Sequence, residues 1–412
     1  MANAVLTIDV IAKEALRILD NELVMAKQVY RGLESDFGDA MNGFEAGDTV
    51  SIRRPTDFTV RDGATASAQD VVEGKTSLVV NKQKGIDFAF TSKELSLSIG
   101  QLSERVIKPA MIQLANQIDA DGHALYSSVP NWVGTPGQTI NSFSDFAKAP
   151  ERLSELAVPM DRSAVLSPAD NWGLVGSQTS LYIQGAANDA YRNGSLGRIA
   201  GIETFETQNV ATHTVGVSTG TPLVNGASQT SAYADVKNTM TQSLITDGWT
   251  NSTTAIVKAG DVFTIAGVFA VNPVTKATLP FLRQFVVTED ANSGATTGPA
   301  TLTIYPAIIT SGAFQNCSAA PADNAAITVL GTGSTGYRQN MAFHKNAFAL
   351  AVVPMAKPPG AVDVSRQSYK GTSVRIIPFY NGSSDVSTWR LDVLYGWKAI
   401  DPRLATRMSG TA

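Results

Sequence analysis

Apolar residues recur at helical spacing in two stretches near the start of the chain, and much of the remaining sequence alternates at the period of a strand. Over residues 7–30, Ile8, Ile11, Ala15, Ile18 and Leu19 and then Leu23, Ala26 and Tyr30 share one stripe, with Thr7 as cap and Asp9 in the first turn. Such a helix lays its stripe either on its own domain or on a neighbouring subunit, and the pattern alone does not separate the two. The second stretch, 91–127, opens with Thr91 and Glu94 in the form of a capping box. After a break at 98–100 its apolar positions are Leu102, Val106, Ala110, Leu114, Ile118 and Leu125, while Glu104, Arg105, Gln113, Asn116 and Asp119 fall elsewhere on the wheel. Pro109 predicts a bend rather than an end, because the spacing resumes in phase beyond it. A helix over 101–127 would be about 40 Å long at roughly 1.5 Å per residue, a strut across a whole domain.

Residues 49–53 and 86–90 alternate polar and apolar and predict two strands. Between them runs a long excursion, with a turn at Arg61-Asp62-Gly63, small residues over 64–68, Arg53 and Arg54 on the outgoing limb, and Lys75, Lys82 and Lys84 on the return. Loops of that length usually belong to function or to contact with a partner. Residues 130–136 read as loop, 164–166 as a buried strand leading to Ser167 as cap and Pro168 at the first helical position, and 202–205 as another strand after a glycine-rich segment. From about Gln208 to Gly336, Ser, Thr, Gly and Val dominate and charges thin out. Short β-rich runs at 255–257, 262–265, 268–271, 281–287, 300–305 and 326–330 predict a small six-stranded barrel or sandwich. The loop 272–280, with two prolines and Lys276, reads as a projecting hairpin. Beyond it, 341–350 reads as apolar and partly helical, 351–354 as strand, and 373–379 with 388–394 as strands joined at Asn381-Gly382. The β-rich stretch is therefore an insertion into an α/β host, an α+β chain overall.

The 412 residues are enough for two or three domains, and 43% hydrophobic with 17% charged residues describes a folded chain. With 32 basic against 36 acidic residues there is no general field for gripping phosphates. The first residues do not resemble an export signal, and no apolar run reaches the roughly 18 residues that span a bilayer. A single cysteine, Cys317, cannot form an internal disulfide and reads as a small buried hydrophobe.

Catalytic and cofactor signatures are weak. The spaced glycines of 331–336 come after a predicted strand but open no helix, so they read as a flexible junction and not as a dinucleotide site. His123, His213 and His344 show no zinc spacing and no serine elbow. Asp119, Asp121 and His123 suggest a cation cluster only superficially; residues two apart point to different helix faces, and a solvated surface is expected there. No enzyme, cofactor or metal is predicted.

The order of amphipathic arm, two-limbed excursion, strut helix, glycine-rich α/β region and C-terminal strand pair resembles the major capsid proteins of tailed bacteriophages, which have the Hong Kong 97 fold. TSKELSLSIGQLSERVIKPAMIQLANQIDADGHALY at 91–126 resembles their spine helix, and NGSLGRIAGIETFET at 193–207 their glycine-rich axial segment; 341–354 and RLDVLYGWKAI at 390–400 are also similar. The insertion, with KAGDVF at 258–263, most resembles the coat proteins of Salmonella-type short-tailed phages.

The resemblance implies an arm over 1–47, an extended loop over 48–90, a spine helix over 91–130, an axial domain in parts 131–207 and 334–372, a barrel over 208–333 and C-terminal strands over 373–412. It implies pentamers and hexamers in a virion shell around double-stranded DNA, assembled in the bacterial cytoplasm with a scaffolding protein and a portal. Ile11, Ile18, Arg53, Arg54, Lys75, Lys82, Lys84 and Lys276 are the subunit-interface candidates, the stripe of the first helix being expected to serve assembly more than monomer folding. A β-rich tail or adhesion protein and a bacterial encapsulating compartment are the alternative readings.

Overall fold

A computed structural model describes residues 8–33, 49–61, 63–65, 68–91, 103–178, 196–360 and 364–411. The Thr7 cap, the partner Glu94 of the expected capping box and the start of the glycine-rich phrase lie outside these residues. In chain order the elements are α1 (Ile8–Glu22), β1 (Thr49–Arg53), β2 (Lys75–Val79), β3 (Lys82–Thr91), α2 (Lys108–His123), β4 (Asn131–Val133), α3 (Phe143–Glu155), β5 (Arg162–Leu166), α4 (Pro168–Gln178), β6 (Arg198–Ile199), β7 (Ile202–Glu206) and β8 (Thr212–Thr214). Then come β9 (Gly220–Val224), the short α5 (Tyr233–Val236), β10 (Gln242–Trp249), β11 (Val262–Val271), β12 (Thr278–Val287), β13 (Ala300–Tyr305) and β14 (Ile327–Val329). The chain closes with β15 (Gly336–Arg338), β16 (Asn340–His344), β17 (Phe348–Val353), β18 (Ser365–Tyr369), β19 (Thr372–Asn381), β20 (Val386–Ala399) and β21 (Ala405–Met408).

Contacts divide the chain into two compact units: Met1–Ser51 with Ser77–Gly122 and Phe348–Lys398, and Ile52–Thr76 with His123–Ala347 and Ala399–Ala412. In the first, β17, β20, β19 and β18 are neighbours in that order, and β3 adds to β20 in an antiparallel ladder from Thr91↔Val386 to Lys82↔Tyr395. Helix α1 packs on β18 and β19, which is why its stripe of Ile11, Ala15, Ile18 and Leu19 is buried. Along the π-turn residue Ile107 and α2, the buried apolar residues are Ile107, Met111, Leu114, Ala115 and Ile118, spaced by three and four. A π-turn over Ser103–Ile107 leads into α2 and widens the ladder where Pro109 supplies no donor, so the helix continues through the proline.

In the second unit a mixed sheet has the order β4, β21, β16, β5, β7, β6, parallel between β4 and β21 and between β5 and β7. Helices α3 and α4 help cover it, through a core that includes Phe146, Leu153, Leu166, Leu174, Ile202 and Met408. Ser142 Oγ accepts from Asp145 N at 3.1 Å and caps α3; Ser167 Oγ accepts from Asp170 N at 3.3 Å, and Pro168 opens α4 as its fixed φ favours. Two expectations fail here. Residues 131–133 are a strand rather than loop, because all three are buried and carry no alternation to read. The run 341–350 is not partly helical beyond one 3₁₀ turn at Lys345–Ala347; it is β16, a central strand of this sheet, and the start of β17 in the first unit's sheet, both buried.

The same unit holds a six-stranded sheet in the order β14, β11, β12, β13, β10, β9, and a bridge between Leu223 and Ala326 joins its two ends, so it is a nearly closed barrel. Trp249, Phe263, Phe285, Leu302 and Ile304 fill it. Its membership differs from the expected runs: 262–265 and 268–271 are one strand carrying a register shift, and 255–257 contributes only an isolated bridge from Val257 to Ala291. The unforeseen strands are β9 and β10, whose Gly, Pro, Gln and Asp residues dilute the β signal. The strands β8 and β15, flanking the barrel in sequence, pair antiparallel from Gly336↔Thr214 to Arg338↔Thr212. The glycines of 331–336 form the turn between β14 and β15; Gly331 has φ +94°, which an L side chain rarely adopts.

Candidate assembly surfaces

The solvated surface expected at Asp119, Asp121 and His123 is not found: Asp119 and His123 are buried and Asp121 is half-buried. Asp119 is 1% exposed, and its carboxylate accepts from the backbone N–H of Val24 at 2.6 Å and of Ala26 at 3.1 Å. It thereby holds the 3₁₀ turn Met25–Lys27 that comes after α1, and this turn is what divides the stretch that sequence presents as one helix to Tyr30. Burial pushes the carboxyl up to about 6, against the pull of those amides and of Lys27. Asp121 is bound by Lys82 Nζ at 3.1 Å and by the Tyr395 hydroxyl at 2.8 Å. His123 is fully buried, its ring nitrogens have no hydrogen-bond partner among the described residues, and burial lowers it to about 4.

The interface candidates separate into distinct environments. Ile11 and Ile18, 3% and 9% exposed, find their apolar partner inside their own unit. Lys82 is engaged with Asp121, and Lys84, opposite Val393 in the ladder, is half-buried. Arg53 is exposed at the end of β1 and pairs with Glu73 at 3.1 Å. Arg54 is half-buried; its N–H donates to Gly74 O at 2.8 Å. Asp401 lies below the usual carboxylate range, because the Arg403 guanidinium at 2.8 Å and the charge of Arg54 outweigh the burial that pushes it up. Lys75 is exposed, and its N–H donates to Asn238 Oδ1 at 3.1 Å. Lys276 is half-buried, with φ +57°; its ammonium donates to Ala313 O, and burial lowers its pKa. The hairpin around it is rooted by Asn272 Nδ2 on Glu155 O at 2.8 Å and exposes Val274 at its tip.

What sequence reasoning passed over is the apolar content of the excursion. Phe58, Val60 and Val71 are 56%, 100% and 64% exposed. The limbs are tied where Thr59 N and Oγ1 both donate to Gln69 Oε1 at 2.9 Å and Gln69 Nε2 donates to Thr59 O at 2.6 Å. The alternation Asp57-Phe58-Thr59-Val60-Arg61 carried that signal.

Two buried features join the barrel to the sheet beside it. The Asp261 carboxylate meets His213 Nε2 at 2.7 Å and accepts from Lys258 N at 2.7 Å and Gly216 N at 3.0 Å, while His213 Nδ1 meets the Tyr126 hydroxyl at 3.1 Å. Arg407, fully buried, donates to Gly260 O at 2.7 Å and Gln339 Oε1 at 3.2 Å and lies over the rings of Tyr126 and Trp132; burial lowers it to about 9. Trp132 N donates to Gln284 Oε1 and Gln284 Nε2 to Trp132 O, each at 2.8 Å. Beside that pair opens a cavity of about 390 Å³, bounded by α3, β4 and β12. Its apolar lining includes Trp132, Phe281 and Leu330, and Lys148, Glu151, Arg152 and Glu155 of α3 stand over it at helical spacing.

No cluster of metal-ligating side chains and no helix long and apolar enough to cross a membrane occurs among the described residues. Cys317 is buried and pushed up to about 12 by burial, so it is not a thiolate at neutral pH. The chain is similar to the major capsid protein of Acyrthosiphon pisum secondary endosymbiont phage 1, with 22% identity over 418 residues covering 97% of each chain. Among solved structures it is similar to one from Mycobacterium phage Che8, with TM-score 0.48, 14% identity and 93% and 90% of the two chains covered. It is also similar to the capsid of Ralstonia phage GP4, with TM-score 0.40, 11% identity and 89% and 83% covered. The model of the P22 coat protein family (gene protein 5) matches residues 1–410, so the chain belongs to that family and is a phage major capsid protein, not an adhesion module or a storage compartment.

Proposed function

We propose that this coat chain has the Hong Kong 97 fold and assembles as pentamers and hexamers into an icosahedral shell around double-stranded DNA, with the excursion between β1 and β3 carrying its contacts to neighbouring subunits. The observation behind this reading is the exposure of Phe58, Val60 and Val71 on a long loop of a chain that belongs to a coat family. A scaffolding protein and a portal at one vertex would complete assembly in the host cytoplasm, and the nearest kin would be the Salmonella-type coat proteins. The chain's role is mechanical rather than catalytic, and its net charge of -4 gives the shell no general grip on packaged DNA. The boundaries 1–47, 48–90, 91–130, 131–207, 208–333, 334–372 and 373–412 remain its proposed division into arm, loop, spine, axial parts, barrel and C-terminal strands. Arg53, Arg54 and Lys75 are proposed to act at the loop's contacts, Lys84 on the return limb and Lys276 on the barrel hairpin. Deleting residues 55–75 is expected to leave a folded monomer that forms no shells under electron microscopy. Normal particles from that variant would refute the assignment.

A further inference from the structure

Four cations and two carboxylates of the second unit converge where the excursion leaves β1. Arg54 and Asp57 come from the excursion itself, Lys276 from the hairpin between β11 and β12, and Arg283 from β12; Asp401 and Arg403 belong to the 3₁₀ turn Pro402–Leu404 and its cap. Arg403 is the hub, with Asp57, Lys276 and Arg283 all within range of its charge, and Arg54 is close enough to Asp401 to act on it in the same way. Backbone contacts fix the meeting. Arg54 N donates to Gly74 O at 2.8 Å, and a Cβ on Gly74 would stand 3.2 Å from the Tyr233 hydroxyl. The Tyr233 ring stacks on Phe314 at 3.4 Å between centres, and the neighbouring Ala313 carbonyl accepts from the Lys276 ammonium.

The charges within this group do not balance. Asp401 is claimed by the fork of Arg403, whose Nε and Nη2 each donate to it at 2.8 Å, and Asp57 is the remaining acid of the group. Arg283 is 3% exposed, and its Nε, like that of Arg54, has no hydrogen-bond partner among the described residues. A guanidinium held there gives up its water without a counter-charge to offset the loss. Solvent nevertheless reaches the group: the side chains of Arg403 and Asp401 are 31% and 15% exposed, and Arg54, Asp57 and Lys276 are half-buried. Arginine forks around an excess of two positive charges suit a compact dianion, and a terminal phosphate carries about −1.5 to −2 at pH 7 and accepts paired bonds from arginine. A phosphate within a DNA strand has one charge and a sugar on either side, which keeps it from a side chain as recessed as Arg283. We infer that Arg54, Lys276, Arg283 and Arg403 form a binding site for a free phosphate dianion, which would tie the root of the excursion to the barrel. The site lies inside one chain and is independent of whether the excursion meets a neighbour.

The test is calorimetric titration of inorganic phosphate into the full-length unassembled chain, at constant ionic strength with chloride as the balancing anion. Saturable binding of roughly one phosphate per chain is expected, with a dissociation constant of about millimolar or tighter. Arg54→Gln, at the half-buried rim, should weaken it about tenfold, and Arg283→Met, which keeps the buried stem, should weaken it at least as much. Asp57→Asn should instead tighten binding roughly threefold by removing a like charge, a direction that damage to the fold would not produce. Arg53→Gln is the control, since Arg53 is exposed, pairs with Glu73 and should leave binding unchanged. Where Arg283→Met does not fold, the opposed effects of Arg54→Gln and Asp57→Asn decide. No saturable binding up to tens of millimolar phosphate would overturn the site. Binding that Arg53→Gln weakens as much as Arg54→Gln does would overturn it equally, as an adventitious ion only.

Discussion

Asp119→Asn should leave the unassembled chain less stable than the parent in acid and gain on it as pH rises to neutral. The carboxylate is buried on α2 with its oxygens on the backbone amides of Val24 and Ala26, and burial raises it to about 6 from an ordinary 3.8. The folded chain therefore holds this proton more tightly than the unfolded chain does. As a result the contribution of Asp119 is most favourable below about pH 4, declines as pH rises to 6 and is flat above that. A shift of about two pH units at 1.36 kcal/mol each makes the ionised form about 3 kcal/mol less favourable at pH 7 than a neutral group of the same shape.

Asparagine is uncharged but carries one acceptor where the carboxylate has two, so one of the two turn amides loses its partner and faces an NH2 group, a cost of about 1–3 kcal/mol at every pH. His123 on the same helix works the other way, since a pKa lowered to about 4 makes stability fall as pH drops below 6.5. That contribution is common to both proteins and cancels in their difference. Urea unfolding of monomer tracked by circular dichroism from pH 4 to 8 should find the Asn variant less stable at pH 4 and the difference moving in its favour by as much as about 3 kcal/mol by pH 7. Parallel pH profiles would show that the folded chain holds the Asp119 proton no more tightly than the unfolded chain and would refute the reasoning.

Ile11→Asp with Ile18→Asp should unfold the monomer or lower its urea midpoint sharply, since both side chains are buried against β18 and β19 and losing that packing costs about 2–5 kcal/mol per site before the buried charge is counted. A folded monomer that merely fails to assemble would return the stripe to a subunit interface. The segment 208–333 expressed alone should be soluble, show β-type circular dichroism and melt cooperatively, and extension to Gln339 should raise its melting temperature by restoring the β8–β15 ladder. Random-coil spectra without a transition from both lengths would make the barrel dependent on its host.

Where one face of an element meets solvent, its period was legible: α1 and β3 announced themselves, as did the cap and proline that open α4. Where burial is complete the period vanishes, which hid β4 and turned β16 into an apparent helix. Asp119 was misread for a different reason. An acid in the polar run 116–123, with Asp121 two residues on, looks like a surface residue, and only the fold supplies the backbone amides that hold it inside. Lysines and arginines drew attention to the excursion, yet several charged candidates are engaged within the chain, Lys82 with Asp121, Arg53 with Glu73 and Lys276 with Ala313. Its exposed apolar residues were the stronger signal, because a long loop that carries Phe58 and Val60 into water lacks the apolar cover that a compact chain normally gives them.

That exposure also sets the strength of the contact it would make. Fully burying a phenylalanine and a valine is worth about 1.5–3 kcal/mol each, and ordering the segment takes back part of this. A net few kcal/mol corresponds to a dissociation constant of millimolar order, too weak to hold two free chains together. Repeated around a ring, such contacts become mutually reinforcing, because each closed subunit raises the effective concentration of the next. Weakness of the single contact is then useful, since a misplaced subunit can leave before the ring closes around it. By contrast, the bonds within the second unit, from Trp132–Gln284 to Arg407–Gly260, are buried and direct. The chain thus keeps its strong interactions for its own fold and leaves the proposed loop surface weak enough for assembly to correct itself.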